Sequence, residues 1–396
     1  MKNLWNTMIG VMEGSVAERR AEAEEVLYDC GDGVWLRIFA EVSDAEADQL
    51  TSELRARFAK ETVKERTLCG NRFLGVTVGD GYLWAIYIPS RKELRLLYTE
   101  HGRLIPDQLG EKPCYAGSQR ITQITPNAEV VNFGMCYILA LGEGHFLVYD
   151  GLGSAGEDEV KLWETLEADT PKGQKPVIDA WILTHPHYDH IAGVQKFAAR
   201  YGDAVEVRNF VMNMANPHTF PVRLWKEVSD CYATWLPGIR AAYPNAPFWK
   251  VHTGERFFVG QAEVEVLLTQ EEIYPDEMLV NDSSLVTRVM LNGKKLFFPA
   301  DVQSDAPCLL LHKMYGAYLK SDYYQIAHHA WDTEALRFYG DVDPQTLFWP
   351  LRRKDWGNPA CRMWGFPATV VMKRELDEGK RRFLIAMDEN ITEPLC

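Results

Sequence analysis

Two hydrophobic patterns divide the chain. In the first hundred residues apolar positions alternate or recur at helical spacing, whereas beyond residue 118 they gather into short, nearly all-apolar runs separated by turns. Residues 15–27 (SVAERRAEAEEVL) predict a polar, solvent-facing helix, and 34–42 (VWLRIFAEV) a strand. Ser43 and Glu46 have capping-box spacing: the hydroxyl accepts from the N3 amide while the carboxylate reaches back to the cap N–H. Ala47, Leu50, Leu54 and Phe58 follow at three- and four-residue intervals, which buries one helical face. Strands are expected at 73–78, 82–89 and 93–99. The turns Gly79-Asp80-Gly81 and Ser90-Arg91-Lys92 between them favour an antiparallel meander. Pro106, Gly110, Pro113 and Gly117 punctuate 105–118 and mark a boundary. The expected organisation is a small α+β accessory domain over 1–115 and a larger domain over 116–396.

In the larger domain strands and helices alternate. Strands are expected at 136–140, 146–149, 177–183, 205–212, 264–268, 285–291, 296–299 and 324–327, with helices at 158–168 and 194–201. Runs this apolar are buried on both faces, so helices should cover both sides of the sheets, an α/β arrangement. Trp225, Trp235, Tyr243 and Trp249 fall in 216–250, which reads equally as a lid or as a helical insertion with its own small core.

The candidate chemistry sits at strand ends. Five of the ten histidines occur in two clusters, each just past an apolar run. The first is Thr184-His185-Pro186-His187-Tyr188-Asp189-His190. Packed imidazoles without a cation leave lone pairs unfilled or repel when protonated. Alternate residues of an extended segment point the same way, so His185 and His187 address one metal. Asp189 and His190, where the chain turns into a helix, address a second.

HPHYDH followed by IAGV resembles the signature of metallo-β-lactamase-fold metallohydrolases, and further stations of that family follow in order. Phe146–Gly151 (FLVYDG) resembles the strand whose Asp150 buttresses the metal loop. LFFPAD, ending at Asp301, resembles the strand carrying the metal-bridging Asp. YQIAHH, through His328 and His329, resembles the strand ending in the last His ligand. Asn281–Val286 (NDSSLV) and the paired histidines are most similar to the competence-protein (DNA-uptake) branch. The resemblance covers roughly 118–396 and implies an αββα sandwich with a binuclear site. His185 and His187 would hold one metal; Asp189, His190 and His328 the other; Asp301 would bridge them. Asp189, Asp301 and His329 are the implied catalytic residues, His329 acting as a ligand, a proton donor or, most simply, a supporting residue. The family's third histidine for the first metal is missing, leaving Asp282, Asn281 or water. Ala330 stands where the family has Gly, so this turn is expected to differ.

Imidazole-plus-carboxylate ligation implies two divalent metals, zinc first, with manganese or iron as alternatives. Their shared hydroxide would attack an ester or phosphodiester in a small or short anionic substrate. A competence-type nuclease and a non-catalytic interaction module whose N-terminal domain recognises a protein partner are the other readings. A two-iron oxidoreductase ranks lower, because no flavin or rubredoxin-like Cys partner is encoded.

Composition limits these readings. The 396 residues carry a formal net charge of −14, which disfavours a long nucleic acid, and have 46% hydrophobic residues, which excludes disorder. The early residues lack a secretory signal, no run approaches a membrane span, and eight scattered cysteines without a CxxC pair suit a cytoplasmic protein. Residues 351–396 carry a net +2 against −16 for the rest. Arg352, Arg353 and Lys354, just past the apolar run 347–350, are expected to help hold an anionic substrate group. Gly151–Gly156 (GLGSAG) is not a nucleophile elbow, because Leu152 stands where Gly is required.

Overall fold

The computed structural model describes residues 27–31, 33–126, 134–274, 278–331, 336–351 and 353–395. The helix expected over 15–27 lies outside them except for Leu27, which opens a strand. The N-terminal unit is a six-stranded antiparallel sheet in the order Leu27–Gly31, Val34–Phe39, Glu93–Thr99, Gly81–Ile88, Asn71–Val78, Val63–Leu68. Two of these strands were not expected. Val63–Leu68 (VKERTL) sits at the sheet edge, where three successive charged residues, Lys64, Glu65 and Arg66, disfavour further pairing and also erase a hydrophobic signal. The helix Asp44–Arg57 begins at the expected capping box, with Ser43 N–H donating to Glu46 Oε2 at 2.9 Å and Glu46 N–H to Ser43 Oγ at 3.3 Å. It buries Ala47, Leu50 and Leu54 on one face of the sheet. The opposite face does not meet water. Phe73, Trp84 and Leu97 join Leu267, Phe297 and Tyr315 of the larger unit in one core. Trp84 Nε1 donates to Thr253 O at 3.0 Å, and Asn71 Nδ2 to Met314 O at 2.7 Å.

Two eight-stranded sheets stack face to face around Leu147, Ile182, Val264, Phe298 and Phe348. Helices Asp158–Ala168, Tyr188–Tyr201 and Leu236–Ala242 cover the outer face of the first sheet. Helices Asp305–Tyr315 and Pro367–Asp377, together with the N-terminal sheet, cover the second. The architecture is an αββα sandwich of the mixed α/β class. The helix expected at 194–201 starts earlier, at Tyr188, so that Tyr188, Asp189 and His190 form its first turn. The strand expected at 205–212 is split into Glu206–Val207 and Phe210–Met212.

Each sheet has a parallel half. In the first, His145–Tyr149, Val177–Leu183, Phe210–Met212 and Phe248–Lys250 run together. In the second, Lys294–Phe298, Tyr323–Gln325, Thr346–Pro350 and Arg382–Ala386 do so. Loops leaving the carboxyl ends of parallel strands converge, which is where α/β sheets place ligands. Here the approach is close. A Cβ on Gly193 would meet Gly151 O at 1.9 Å, and one on Gly151 would meet Val194 Cγ2 at 2.5 Å. Gly151 N–H donates to His190 O at 2.8 Å and Gly193 N–H to Leu152 O at 3.0 Å, locking the helix start against the loop after Tyr149. Gly193→Ala is therefore expected to lower the unfolding free energy by roughly 3 kcal/mol, the upper end of overpacking penalties, as read from the urea midpoint.

Candidate metal centre

Four imidazoles and two carboxylates converge at the strand ends. His185 follows Val177–Leu183, His187 caps the helix Tyr188–Tyr201, and Asp189 and His190 lie in its first turn. Asp301 comes from the loop after Lys294–Phe298, and His329 from the turn after Tyr323–Gln325. One ligand atom each from Asp189, His190, Asp301 and His329 lies within 4.8 Å of all the others. Asp301 Oδ2 is central, 3.2 Å from His190 Nε2, 3.5 Å from His329 Nε2 and 3.9 Å from His185 Nε2. His185 Nε2 and His187 Nδ1 are 3.1 Å apart.

Each ring is fixed by its other nitrogen. His190 Nδ1 lies 2.6 Å from Asp150 Oδ2, whose carboxylate also accepts from Thr184 N–H at 2.8 Å and Thr184 Oγ1 at 2.7 Å. His185 Nδ1 is 3.1 Å from Thr184 Oγ1, and His329 Nδ1 is 3.2 Å from Pro350 O. His187 Nε2 lies 3.5 Å from Glu227 Oε2, on the inserted helix Trp225–Asp230. This set of outer partners turns Nε2 of His185, His190 and His329, and Nδ1 of His187, toward the centre. Outer-sphere acceptors of this kind set ring orientation and tautomer at metal sites.

The electrostatics fit a cation. Burial disfavours charge on His190, yet Asp301, Asp150 and Asp189 outweigh it and raise the imidazole well above its usual value. Burial is likewise overcome at His329, which Asp301 and Asp189 push up to about 9. Asp301 and Asp189, although buried, are held below the usual carboxylate range by His190 and His329. His185, buried beside His190, is driven well below the usual imidazole value and so stays a neutral donor. Asp301 Oδ1 is buried and makes no hydrogen bond. A divalent cation would replace the protons that now neutralise these carboxylates.

The structure departs from the sequence expectation in the last histidine. His329, not His328, joins the cluster; His328 Nε2 instead lies 2.9 Å from Asn281 Nδ2. His328, His329 and Ala330 all have positive φ, of 45°, 52° and 62°. Ala330 thus adopts the left-handed conformation that Gly takes more cheaply, and the neighbouring rings exchange roles. Asp282 Oδ1 accepts from Gln303 N–H at 3.1 Å and Ser304 N–H at 2.9 Å, so it braces the loop after Asp301. Asn281 Nδ2 donates to Gln303 Oε1 and faces His328. Neither is directed at the first pair of histidines. Arg352 and the side chains of Arg353 and Lys354 lie outside the described residues. His218 packs edge-on to Trp225 at 5.4 Å, and His252 is buried against Tyr82 and Glu271; neither joins the cluster.

The 216–250 segment is helical as far as Ala242 and ends in the strand Phe248–Lys250, but it does not form a core of its own. Phe220 and Val228 pack against Ile273, Met278 and Val280, and Trp235, Leu236, Ile239 and Tyr243 join the core over the first sheet. Pro237 has no N–H to return to the preceding turn, and the helix passes through a π turn at Cys231–Trp235. Sequence reasoning missed Glu227. An exposed Glu on a polar helix 37 positions past His190 carries no signal until the fold brings it to His187.

The family description "Metallo-beta-lactamase superfamily" matches residues 130–269. A search of curated proteins returned no match. Among solved structures, the chain is similar to a mutant of the CmlA beta-hydroxylase, with 13% identity, a TM-score of 0.41, and coverage of 89% of this chain and 60% of that one. It is also similar to CmlA, a diiron beta-hydroxylase from Streptomyces venezuelae, with 14% identity, a TM-score of 0.42, and coverage of 71% and 55%. The chain therefore spans little more than half the length of these two proteins.

Two outcomes follow. Asp150→Asn should leave the circular dichroism spectrum intact and weaken metal binding roughly 10- to 100-fold, measured by competition with a chelating dye. Metal binding at neutral pH should release protons, because His329 holds one up to about pH 9 in the metal-free protein. Affinity should therefore fall progressively as pH is lowered from 9, and calorimetric heats should depend on the buffer's ionisation enthalpy.

Proposed function

We propose that this chain is a metal-dependent hydrolase acting on an ester or phosphodiester of a small or short anionic substrate. The observation that carries the reading is the inward convergence of the His185, His190 and His329 imidazole nitrogens on Asp301, with His187 Nδ1 beside His185 Nε2 and each ring held from outside. In this reading His185 and His187 would hold one divalent cation, Asp189, His190 and His329 would hold the other, and Asp301 lies between the two sets. The cations supply a Lewis acid and a water acidic enough to attack at neutral pH. Nothing in that chemistry requires a protein nucleophile. Asp150 and Thr184 keep His190 and His185 in register, Pro350 O orients His329, and Glu227 orients His187. The ligand set suits zinc, with manganese and iron as alternatives.

The match over 130–269 supports the metal-site family, and the mixed α/β sandwich supports the fold that presents it. No helix among the described residues is long and apolar enough to cross a membrane. The described cysteines form no disulfide, which supports a reducing, cytoplasmic setting. A competence-type nuclease remains the second hydrolytic reading, and the net charge of −14 weighs against it.

The test combines elemental analysis with a substrate panel. Two metals per purified chain, with hydrolysis of bis(p-nitrophenyl) phosphate or p-nitrophenyl esters, are expected. His187→Ala and Asp301→Ala should each lower kcat by about a hundredfold or more without unfolding the protein. Less than one metal per chain, with no gain on reconstitution, would instead favour a non-catalytic interaction module. Bound iron with reductant-dependent oxygen uptake and no hydrolysis would replace the hydrolase reading with a redox one.

A further inference from the structure

A cavity of about 670 Å3 shares no lining residue with the metal centre. Three parts of the fold wall it. The N-terminal sheet contributes Tyr82 and Thr99 and the turn that follows; the parallel strands Phe210–Met212 and Phe248–Lys250 form the floor; the inserted helix presents Tyr232, Leu236 and Arg240. The cavity exists only because the N-terminal sheet docks on the larger unit.

Its chemistry is selective. The rings of Tyr82, Tyr232, Phe248 and Trp249 line it, together with the cations Arg103, Arg240 and Lys250. Among the described residues no Asp or Glu lines it, in a chain with 56 acidic residues against 42 basic ones. The Arg240 guanidinium lies over the Phe248 ring, 3.8 Å from its centroid, a cation–π placement. The Lys250 side chain is only 18% exposed, and its nearest carboxylate, Glu271 Oε1, is 3.8 Å from Nζ. That is too long for a charge-assisted hydrogen bond, which runs at about 2.7–2.9 Å. A largely buried ammonium with so distant a counter-charge gains from a further anion. A volume of this size, apolar walls and a few convergent polar groups define a small-ligand site.

We propose that this cavity binds a planar aromatic anion, with its ring body between the aromatic walls and its acidic group at Lys250 and Arg103. The site is separate from the metal centre and does not depend on the chemistry proposed there. It also gives the N-terminal unit a role, because Tyr82 and Arg103 belong to that unit.

The experiment uses the full chain and 8-anilinonaphthalene-1-sulfonate as the probe, with the uncharged N-phenyl-1-naphthylamine as its comparison. Saturable one-to-one binding is expected, with the sulfonate bound at least tenfold more tightly than the neutral compound. Lys250→Met and Arg103→Ala should each weaken sulfonate binding about tenfold and leave the neutral compound unchanged. Arg103 is exposed at a turn, so its variant separates lost charge from lost folding. His187→Ala should leave sulfonate binding intact. Equal affinity for the two compounds, or charge variants that bind as well as the parent, would overturn the proposal. So would loss of sulfonate binding in His187→Ala or after chelation, which would make the cavity an arm of the metal centre.

Discussion

The site depends on one carboxylate that would itself hold no metal. Asp150 ends the central strand of the first sheet and is completely buried. Its two oxygens are shared between the backbone and hydroxyl of Thr184 and the ring of His190. Through Thr184 it sets the path of the chain into His185; through His190 it sets the first turn of the following helix. Burying a carboxylate is costly, and only a full complement of donors makes it tolerable. The fold meets that condition with groups from the metal loop itself, so the loop and the buried charge stabilise each other.

The surrounding backbone is strained in a consistent place. Asp150 and Leu152 leave the first sheet at φ of 50° and 68°, Ala300 leaves the second at 51°, and the His328–Ala330 turn is left-handed throughout. Non-glycine residues in this region cost about 1 kcal/mol or more each. Every one of these positions lies at the carboxyl end of a strand that feeds the cluster. The sandwich core, with its long apolar strands, is what over-determines these turns, and the helix seated on Gly151 and Gly193 leaves the loop no alternative path.

Much of this was legible in the sequence because it is local. The strand Val177–Leu183 has the bounds that its apolar run predicts, and the Ser43–Glu46 cap forms as the spacing requires. HPHYDH, Asp301 and the paired histidines marked the strand ends that converge. The choice between His328 and His329 was not legible, since adjacent side chains in a turn exchange places with a change in φ that no residue type announces. Glu227 and Pro350 O reach the site by tertiary packing alone, and a backbone carbonyl leaves no trace in composition. The edge strand Val63–Leu68 was hidden by the charges that protect it. Net charge was informative about the surface as a whole but silent about the cation-lined cavity, because a sum does not record where its terms lie.

The first sheet is closed by a strand from far along the chain. Ile391–Pro394 pairs antiparallel with Arg120–Gln123, and Thr122 and Thr392, 270 positions apart, sit with their hydroxyls 2.9 Å from each other. During synthesis, the 120–123 edge therefore waits with unpaired N–H and C=O groups until nearly all the intervening chain has emerged. A strand edge left open for that long is a template for pairing with other nascent copies. The same long separation makes closure slow. Yield in a cell should thus be governed less by the stability of the finished sandwich than by how well that edge is shielded while it waits.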